Sequence, residues 1–234
     1  MEHIEFISDE LRLIVSEAHT FGTDALLLAS FAMPKRKDKC VDLGTGCGII
    51  PFYWIREGCG EKIYAVDIQD MAISQLTRSI KLNGEDASKI TPVLSDLKDL
   101  KGKIPFAELD VVTMNPPYKP VGTGIISDTS ADKIARHETM CTLDDICVSA
   151  SKLLRFGGRF CICLKPERLA DAVVSMRQAR LEPKRLRLVS QREGKAPWLI
   201  LLEGKMGAKP GMTIENELHI ESDEMEKIVG SYRK

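Results

Sequence analysis

The four residues Asn115-Pro116-Pro117-Tyr118 have types and spacing suited to chemistry. They follow the apolar, β-branched run 109–114, which is typical of a strand buried on both faces. Each proline fixes its own φ angle and biases the residue before it towards extended geometry. We therefore expect the Asn115 amide and the Pro116 carbonyl to be rigidly held hydrogen-bond acceptors, with the flat ring of Tyr118 beside them.

Two such acceptors suit a planar amino group whose nitrogen lone pair is conjugated, as in the exocyclic NH2 of adenine or the side-chain amide of glutamine. By binding both N–H groups, they would pull the nitrogen towards tetrahedral geometry and free its lone pair for attack. Tyr118 would stack on the planar group. Because a short motif of this kind is often only a structural turn, the surrounding elements decide between the two interpretations.

The elements that would position this turn alternate between strands and helices. A predicted strand at 40–43 runs into the glycine turn 44–48, and an apolar helix at 49–57 follows. The next strand ends in Asp67, about 20 residues past the last glycine, where nucleotide-binding folds place the acid that binds a ribose. A third strand ends at Asp96.

Four predicted strands thus end in a polar residue or a glycine: Gly44, Asp67, Asp96 and Asn115. The carboxyl ends of parallel strands meet at one edge of an open sheet and line its ligand crevice, which favours the functional interpretation of the turn. The pattern predicts an α/β fold with a Rossmann-like, doubly wound, mostly parallel sheet. The short connection between the last two strands, 186–191 and 198–203, favours an antiparallel hairpin.

Residues 1–234 are predicted to form a single domain with a short N-terminal helical extension, 1–38. In that extension Thr23 is a candidate N-cap, and Asp24 suits the positive end of the helix that follows. The 33 basic and 34 acidic side chains balance, so net charge indicates neither nucleic acid nor membrane as a partner. We find no membrane-span or signal-peptide pattern, which predicts a cytoplasmic protein.

The seven cysteines lack the spacing of a disulfide framework or a zinc site. Cys161 and Cys163 alternate along a predicted strand at 159–164 and would face the same side of it. Both are expected to be small buried hydrophobes. No metal site is predicted.

Candidate substrate contacts lie after the Asn115 turn and near the end of the chain. The Gly/Ser/Thr-rich stretch 119–130 is predicted to be a mobile loop that orders on substrate. Lys119 and Arg136 are candidate substrate contacts, Arg136 for a phosphate. The basic cluster 177–187 is the best candidate for contacting a phosphate backbone, although such runs are more often solvated faces.

The motif 41–48, the acid Asp67, the segment 95–97 and the turn 115–118 together resemble the class I S-adenosylmethionine-dependent methyltransferases. Within that family they resemble the amino-methyltransferases that carry the Asn-Pro-Pro-Tyr turn. The resemblance covers nearly the whole chain. It implies a seven-stranded sheet, with the cofactor S-adenosylmethionine lying across the glycine turn.

The resemblance also implies a role for each site residue. Asp67 would bind both ribose hydroxyls, Asp96 the cofactor's adenine amino group and the Leu97 N–H a ring nitrogen. Asn115 and the Pro116 carbonyl would accept from the target nitrogen, without a metal or a general base. The implied cofactor contacts are Asp42, Gly44, Gly46, Gly48, Asp67, Ile68, Asp96, Leu97 and Asn115. The implied catalytic residues are Asn115, Pro116, Pro117 and Tyr118.

Three further segments, 21–24, 136–138 and 203–211, are similar more narrowly to the bacterial transfer-RNA adenine-N6 methyltransferases that act on tRNA1(Val). RNA, above all tRNA, is therefore the implied partner. Three alternatives stay open: N2 methylation of guanine in ribosomal RNA, N5 methylation of a protein glutamine, and a non-catalytic cofactor-binding RNA module. The glutamine enzymes resembled carry a helical recognition domain before the first strand, whereas fewer than 40 residues precede Cys40 here. The sequence leaves the oligomeric state open.

Overall fold

A mostly parallel β-sheet organises the protein, and the computed structural model describes residues 1–116 and 141–230. The strands are, in chain order, β1 (Glu2–Phe6), β2 (Arg12–Ser16), β3 (Lys39–Leu43), β4 (Lys62–Asp67), β5 (Ile90–Leu94), β6 (Leu109–Met114), β7 (Leu154–Leu164), β8 (Leu181–Ser190), β9 (Leu199–Met206), β10 (Thr213–Ile214) and β11 (Leu218–His219). The seven long strands β3 to β9 lie in the order β5-β4-β3-β6-β7-β9-β8. This order confirms the predicted Rossmann-like, doubly wound sheet.

Strand β3 lies at the centre of the sheet and sets the position of the crevice. It pairs in parallel with β4 and β6, and Leu43 lies opposite both Val66 and Met114. The carboxyl ends of the three strands therefore lie side by side at one edge of the sheet. Their residues are buried because helices cover both faces, as expected for central parallel strands.

Six helices pack on the sheet: α1 (Thr23–Ala32), α2 (Ile49–Arg56), α3 (Asp70–Asn83), α4 (Leu143–Leu153), α5 (Leu169–Gln178) and α6 (Asp223–Val229) among the described residues. On one face Leu28 of α1 and Trp54 of α2 belong to a large hydrophobic core. On the other face Leu153 of α4 and Met176 of α5 pack on Phe160 of β7. Helices thus cover both faces of the sheet, with one hydrophobic core on each face, as in a doubly wound fold.

The sheet closes with the predicted antiparallel hairpin and extends slightly further. Strand β9 pairs antiparallel with both β7 and β8. The short strands β10 and β11 add parallel pairs outside β8, so the described residues form a sheet of nine strands, the implied seven and these two. Strand β8 begins at Leu181, five residues before the predicted start at Leu186. Its register shifts between Pro183 and Arg185, because proline lacks the N–H that a regular ladder uses.

The N-terminal extension is a β-hairpin as well as a helix, so the description of 1–38 as helical covers only its second half. Strands β1 and β2 pair antiparallel, and β2 packs on α3 through hydrogen bonds from Ile14 N to Ser79 Oγ (3.0 Å) and from Gln75 Nε2 to Ile14 O (2.9 Å). Helix α1 starts at Thr23 with Gly22 at the N-cap, and no side chain caps it. The predicted Thr23 cap is therefore wrong.

Candidate active site

A crevice of about 950 Å³ lies along the carboxyl edge of the sheet. Strand ends from β3 to β7 and the segment before α1 line it. Eight of the nine implied cofactor contacts are among its lining residues, as is Pro116: Asp42, Gly44, Gly46, Asp67, Ile68, Asp96, Leu97 and Asn115. The structure thus brings the glycine turn and the Asn115 turn to a single cavity.

The glycine turn after β3 depends on backbone geometry that other residues rarely adopt. Gly44, Gly46 and Gly48 have φ angles of 68°, 54° and 91°. A Cβ on Gly48 would lie 2.4 Å from Leu76 Cδ1, so this glycine lets the turn pack on α3. A Cβ on Gly46 would meet no atom of the described residues within 4 Å. Among these residues Gly46 therefore faces open space, whereas Gly48 packs against α3.

Asp67, at the end of β4, ties the glycine turn to the next loop. Its Oδ2 accepts from Gly46 N at 2.8 Å and its Oδ1 from Gln69 N at 2.9 Å. Burial raises the pKa of Asp67, and the two N–H groups and the nearby His19 lower it part of the way. Each carboxylate oxygen can accept two hydrogen bonds. Asp67 can therefore hold the turn and also accept from a diol in the crevice.

Asp42 lies beneath the glycine turn and connects β3 to β6. Thr113 is its register partner on β6, and the Thr113 hydroxyl donates to Asp42 Oδ1 at 2.8 Å. Asp42 is only 1% exposed, and burial raises its pKa to about 7 despite the opposing effect of this hydrogen bond. Asp42 is therefore protonated in part near neutral pH, unlike an ordinary carboxyl group.

The loops after β4 and β5 supply apolar and polar surface to the crevice. Ile68 is 44% exposed and lines the cavity with Leu97. Asp96 Oδ1 accepts from Lys98 N at 2.8 Å, which fixes the carboxylate at the rim. The arrangement offers an apolar surface beside an acceptor, which suits a flat heterocycle that carries an amino group.

Asn115 is held by two side chains that are distant in the sequence. Its Nδ2 donates to Asp24 Oδ2 at 3.0 Å, and its Oδ1 accepts from the Cys163 thiol at 3.1 Å. The sequence analysis gave Asp24 a place at the start of α1 and in the segment 21–24, and Cys163 a place in the core, without connecting either residue to Asn115. Cys163 is buried as predicted, but both residues also contact the implied catalytic amide. No local pattern connects positions 91 residues apart.

The sequence analysis also missed residues before α1 and after β7 that line the crevice. The connection 18–21 forms one wall, where the His19 carbonyl accepts from Gln75 Nε2 at 3.0 Å. Lys165 and Arg168 line the side next to β7, and Lys165 Nζ lies 5.4 Å from the centroid of the Trp198 ring. Their positions just after a predicted strand or just before a predicted helix are the sequence feature by which these crevice residues could have been found.

Several predicted substrate residues lie outside the described residues, namely Pro117, Tyr118, Lys119, the stretch 119–130 and Arg136. Their roles stay predictions. The basic cluster 177–187 is described, and it is not a free basic surface. Arg187 binds Glu224 with two contacts of 2.7 Å, Arg185 lies 3.3 Å from Glu203 and Arg177 lies 3.2 Å from Glu182. Acidic side chains of the sheet and of the tail therefore neutralise much of its charge.

Within the described ranges, no three His, Cys, Asp or Glu side chains are grouped so that they could hold a metal ion. In the same part of the chain, every helix is too short or too polar to cross a membrane.

Comparisons with known proteins agree with the fold. The family model described as methyltransferase small domain matches residues 19–178. The tRNA1(Val) (adenine(37)-N6)-methyltransferases of Phocaeicola vulgatus and Parabacteroides distasonis are 26% and 28% identical to this chain. The matches cover 87% and 90% of this chain and 86% and 89% of the relatives.

Among solved structures, a predicted O-methyltransferase from Agrobacterium tumefaciens has a TM-score of 0.71 to this chain at 19% identity. The match covers 88% of this chain and 95% of that protein. At this identity the likeness shows a shared fold.

Proposed function

Because the chain belongs to the methyltransferase small domain family, we propose that it transfers the methyl group of S-adenosylmethionine to the exocyclic N6 of an adenine in tRNA. The observation that carries this proposal is the placement of the Asn115 amide and the glycine turn in one crevice. The two relatives described above are named for this reaction on tRNA1(Val). The reaction would take place in the cytoplasm.

S-adenosylmethionine is the cofactor of this family, and it supplies an electrophilic methyl group on a sulfonium. The described residues fit it. Gly46 leaves open space at the turn, Asp67 can accept from ribose hydroxyls and Ile68 offers exposed apolar surface to an adenine ring. Asp96 at the rim can accept from the adenine amino group. These residues would bind and orient the cofactor without taking part in bond making.

The residues that act on the target nitrogen are Asn115 and Pro116. Asn115 Oδ1 and the Pro116 carbonyl would accept the two N–H groups of the target, and Tyr118 would stack on its ring. The nitrogen loses a proton once it is alkylated, so the turn supplies orientation rather than a base. Alignment of nitrogen, methyl and sulfur accounts for much of the rate, because the methyl group is already reactive.

Substitution of Asn115 tests this assignment directly. Asn115→Ala should lower methyl transfer by about two orders of magnitude, the scale of a lost transition-state hydrogen bond, and should leave cofactor affinity near that of the wild type. Radiolabel transfer and calorimetry measure the two quantities. Asn216→Ala, at an exposed position, is the matched control and should be silent. Undiminished turnover in Asn115→Ala would contradict the role.

The acceptor itself is identified by offering labelled S-adenosylmethionine to tRNA, ribosomal RNA and a release-factor protein, followed by mass spectrometry. N6-methyladenosine in tRNA supports the proposal. N2-methylguanosine in ribosomal RNA, N5-methylglutamine in protein, or binding of the cofactor without any transfer would each replace it with one of the alternatives.

A further inference from the structure

The geometry points to Asp24 as a positioning residue that sets which end of the Asn115 side-chain amide faces the substrate. Asp24 begins the first turn of α1, and its Oδ2 lies 3.0 Å from Asn115 Nδ2. This inference rests on the proposed function, because it concerns how Asn115 comes to accept from a target amino group.

A side-chain amide poses a problem that a rigid backbone does not solve. Its oxygen accepts hydrogen bonds and its NH2 donates them, and rotation by 180° about the last bond exchanges the two without changing the shape. Only the orientation with the oxygen towards the crevice can accept from a substrate NH2. The prolines after Asn115 restrict its backbone but do not choose between these two orientations.

The partners of Asn115 make that choice. The Asp24 carboxylate only accepts, so it selects the NH2 end of the amide. At the other end the Cys163 thiol lies 3.1 Å from Oδ1 and donates to it. The reversed amide would place its oxygen against a carboxylate, which cannot donate, and its NH2 against sulfur, which is only a weak acceptor. An amide oxygen has two lone pairs, so the Cys163 contact is compatible with a hydrogen bond from a substrate.

The start of α1 is shaped to hold the Asp24 carboxylate in place. Its Oδ1 accepts from Ala25 N at 3.0 Å, which leaves Oδ2 directed at Asn115. A Cβ on Gly22 would lie 2.5 Å from Asp24 Oδ1. Glycine at position 22 therefore leaves room for the carboxylate to fold back over the start of the helix.

The other end of α1 is fixed to the sheet. Arg159 on β7 donates to the carbonyls of Ala32 and Met33 at 3.0 and 3.1 Å, and Arg185 on β8 donates to Phe31 O at 2.7 Å. Both guanidinium groups lie within 3.3 Å of the buried Glu203 carboxylate on β9. The helix that carries Asp24 is thus fastened to three strands, among them the strand of Cys163.

Asp24→Asn tests the orientation with little change in size. The oxygen of the new amide can still accept from Ala25 N, but its NH2 then faces the NH2 of Asn115. We expect kcat to fall by roughly 10- to 100-fold, the effect of one unsatisfied polar contact, with KM for the RNA and cofactor affinity within about three-fold. Asp223→Asn makes the same change in the first turn of α6 and should have wild-type activity.

An exchange of the two groups distinguishes positioning from a structural role. Asn115→Asp alone places two carboxylates in contact and should be nearly inactive. The double variant Asp24→Asn with Asn115→Asp restores a donor opposite an acceptor and keeps an oxygen towards the substrate. The turnover of the double variant should exceed that of Asn115→Asp by about ten-fold or more. A folded double variant no more active than Asn115→Asp, or an Asp24→Asn variant as active as the wild type, would overturn the inference.

A readout without catalysis separates this inference from the proposed function. The side-chain 15N resonance of Asn115 should show a carboxylate-bonded NH2 in the wild type and a changed shift in Asp24→Asn, but not in Asp223→Asn. An unchanged resonance in Asp24→Asn refutes the positioning role. If the resonance moves as expected and tRNA is not methylated, the proposed function fails while the orientation of the amide stands.

Discussion

Backbone N–H groups hold the carboxylates in one half of the crevice, whereas side chains from more distant parts of the chain hold Asn115 in the other. In the cofactor half, which comprises the glycine turn, Asp67 and Asp96, Asp67 accepts from Gly46 and Gln69. In the acceptor half, which comprises Asn115 and Pro116, the contacts come from Asp24 and Cys163. The first half therefore follows a recognisable spacing of glycines and acid in the sequence, whereas no motif links the residues that meet in the second.

Substitutions in the two halves should also affect different properties, cofactor binding in one half and turnover in the other. Loss of a group in the cofactor half should weaken cofactor binding, because in the proposed function those residues would contact the cofactor in its ground state. Loss of a group in the acceptor half should lower turnover, because its proposed hydrogen bonds would strengthen only as the target nitrogen becomes tetrahedral. The Asn115→Ala experiment addresses the acceptor half, and three further changes test the contrast in order of expected size.

Asp42 links the two halves through Thr113, and its substitution should have the largest effect, on stability. Its pKa is about 7 in the folded protein against a usual value of 3.8. The folded state therefore keeps a proton that the unfolded state releases, so this group makes stability fall as pH rises from about 4 to about 7. The difference amounts to about 4 kcal/mol. Above pH 7 the contribution is constant.

Asp42→Asn removes this pH dependence, and the new amide oxygen still accepts from the Thr113 hydroxyl. Denaturation of wild type and variant without cofactor, from pH 4 to 8, measures the difference in unfolding free energy. As pH rises, the unfolding free energy of the variant should increase relative to that of the wild type. Two curves that stay parallel across this range would show that Asp42 is an ordinary carboxylate.

Asp67→Ala should produce the signature opposite to that of Asn115→Ala. It removes the ribose acceptor and leaves the Gly46 and Gln69 N–H groups without their partner. Cofactor affinity should fall by roughly 100-fold, which corresponds to about 3 kcal/mol. Turnover at saturating cofactor should change little. Asp67→Asn keeps one acceptor oxygen, and its cofactor affinity should lie between that of the wild type and that of Asp67→Ala. Undiminished affinity by calorimetry in Asp67→Ala would argue against the ribose contact.

Cys163→Ala should have the smallest effect, because a thiol is a weak donor. Turnover should fall by about three-fold, with cofactor affinity unchanged. Cys163→Ser keeps a donor at this position and should remain closer to the wild type. Cys147→Ala, buried in the opposite core, is the matched control. Equal turnover for the serine and alanine variants would show that the thiol acts only by packing.

The contrast between the halves also explains what the sequence could predict. The glycine turn and the acid at the end of β4 are recognisable by type and spacing, and the structure places both at the crevice as expected. The Asp24 contact with Asn115 depends on how α1 packs against β6, which composition and periodicity do not express. The substrate residues beyond Pro116 belong to the part of the chain outside the described ranges and stay predictions.

The glycine pair at 157 and 158 shows a similar dependence on packing. A glycine often follows the end of a helix, but α4 ends at Leu153 and both glycines lie within β7. A Cβ on Gly158 would lie 2.9 Å from Leu109 O, so the glycine allows β7 to approach β6. A glycine pair therefore marks a close approach of backbone as readily as a helix end. The position of the neighbouring strand, which the sequence does not give, distinguishes the two cases.

Helix α1 shares its last carbonyls with arginines of the sheet, and those arginines share one buried glutamate. The amide hydrogens in the last turns of this helix should consequently exchange with solvent only when strands β7 to β9 open. The helix that carries Asp24 is thus expected to hold its position for as long as the native state persists.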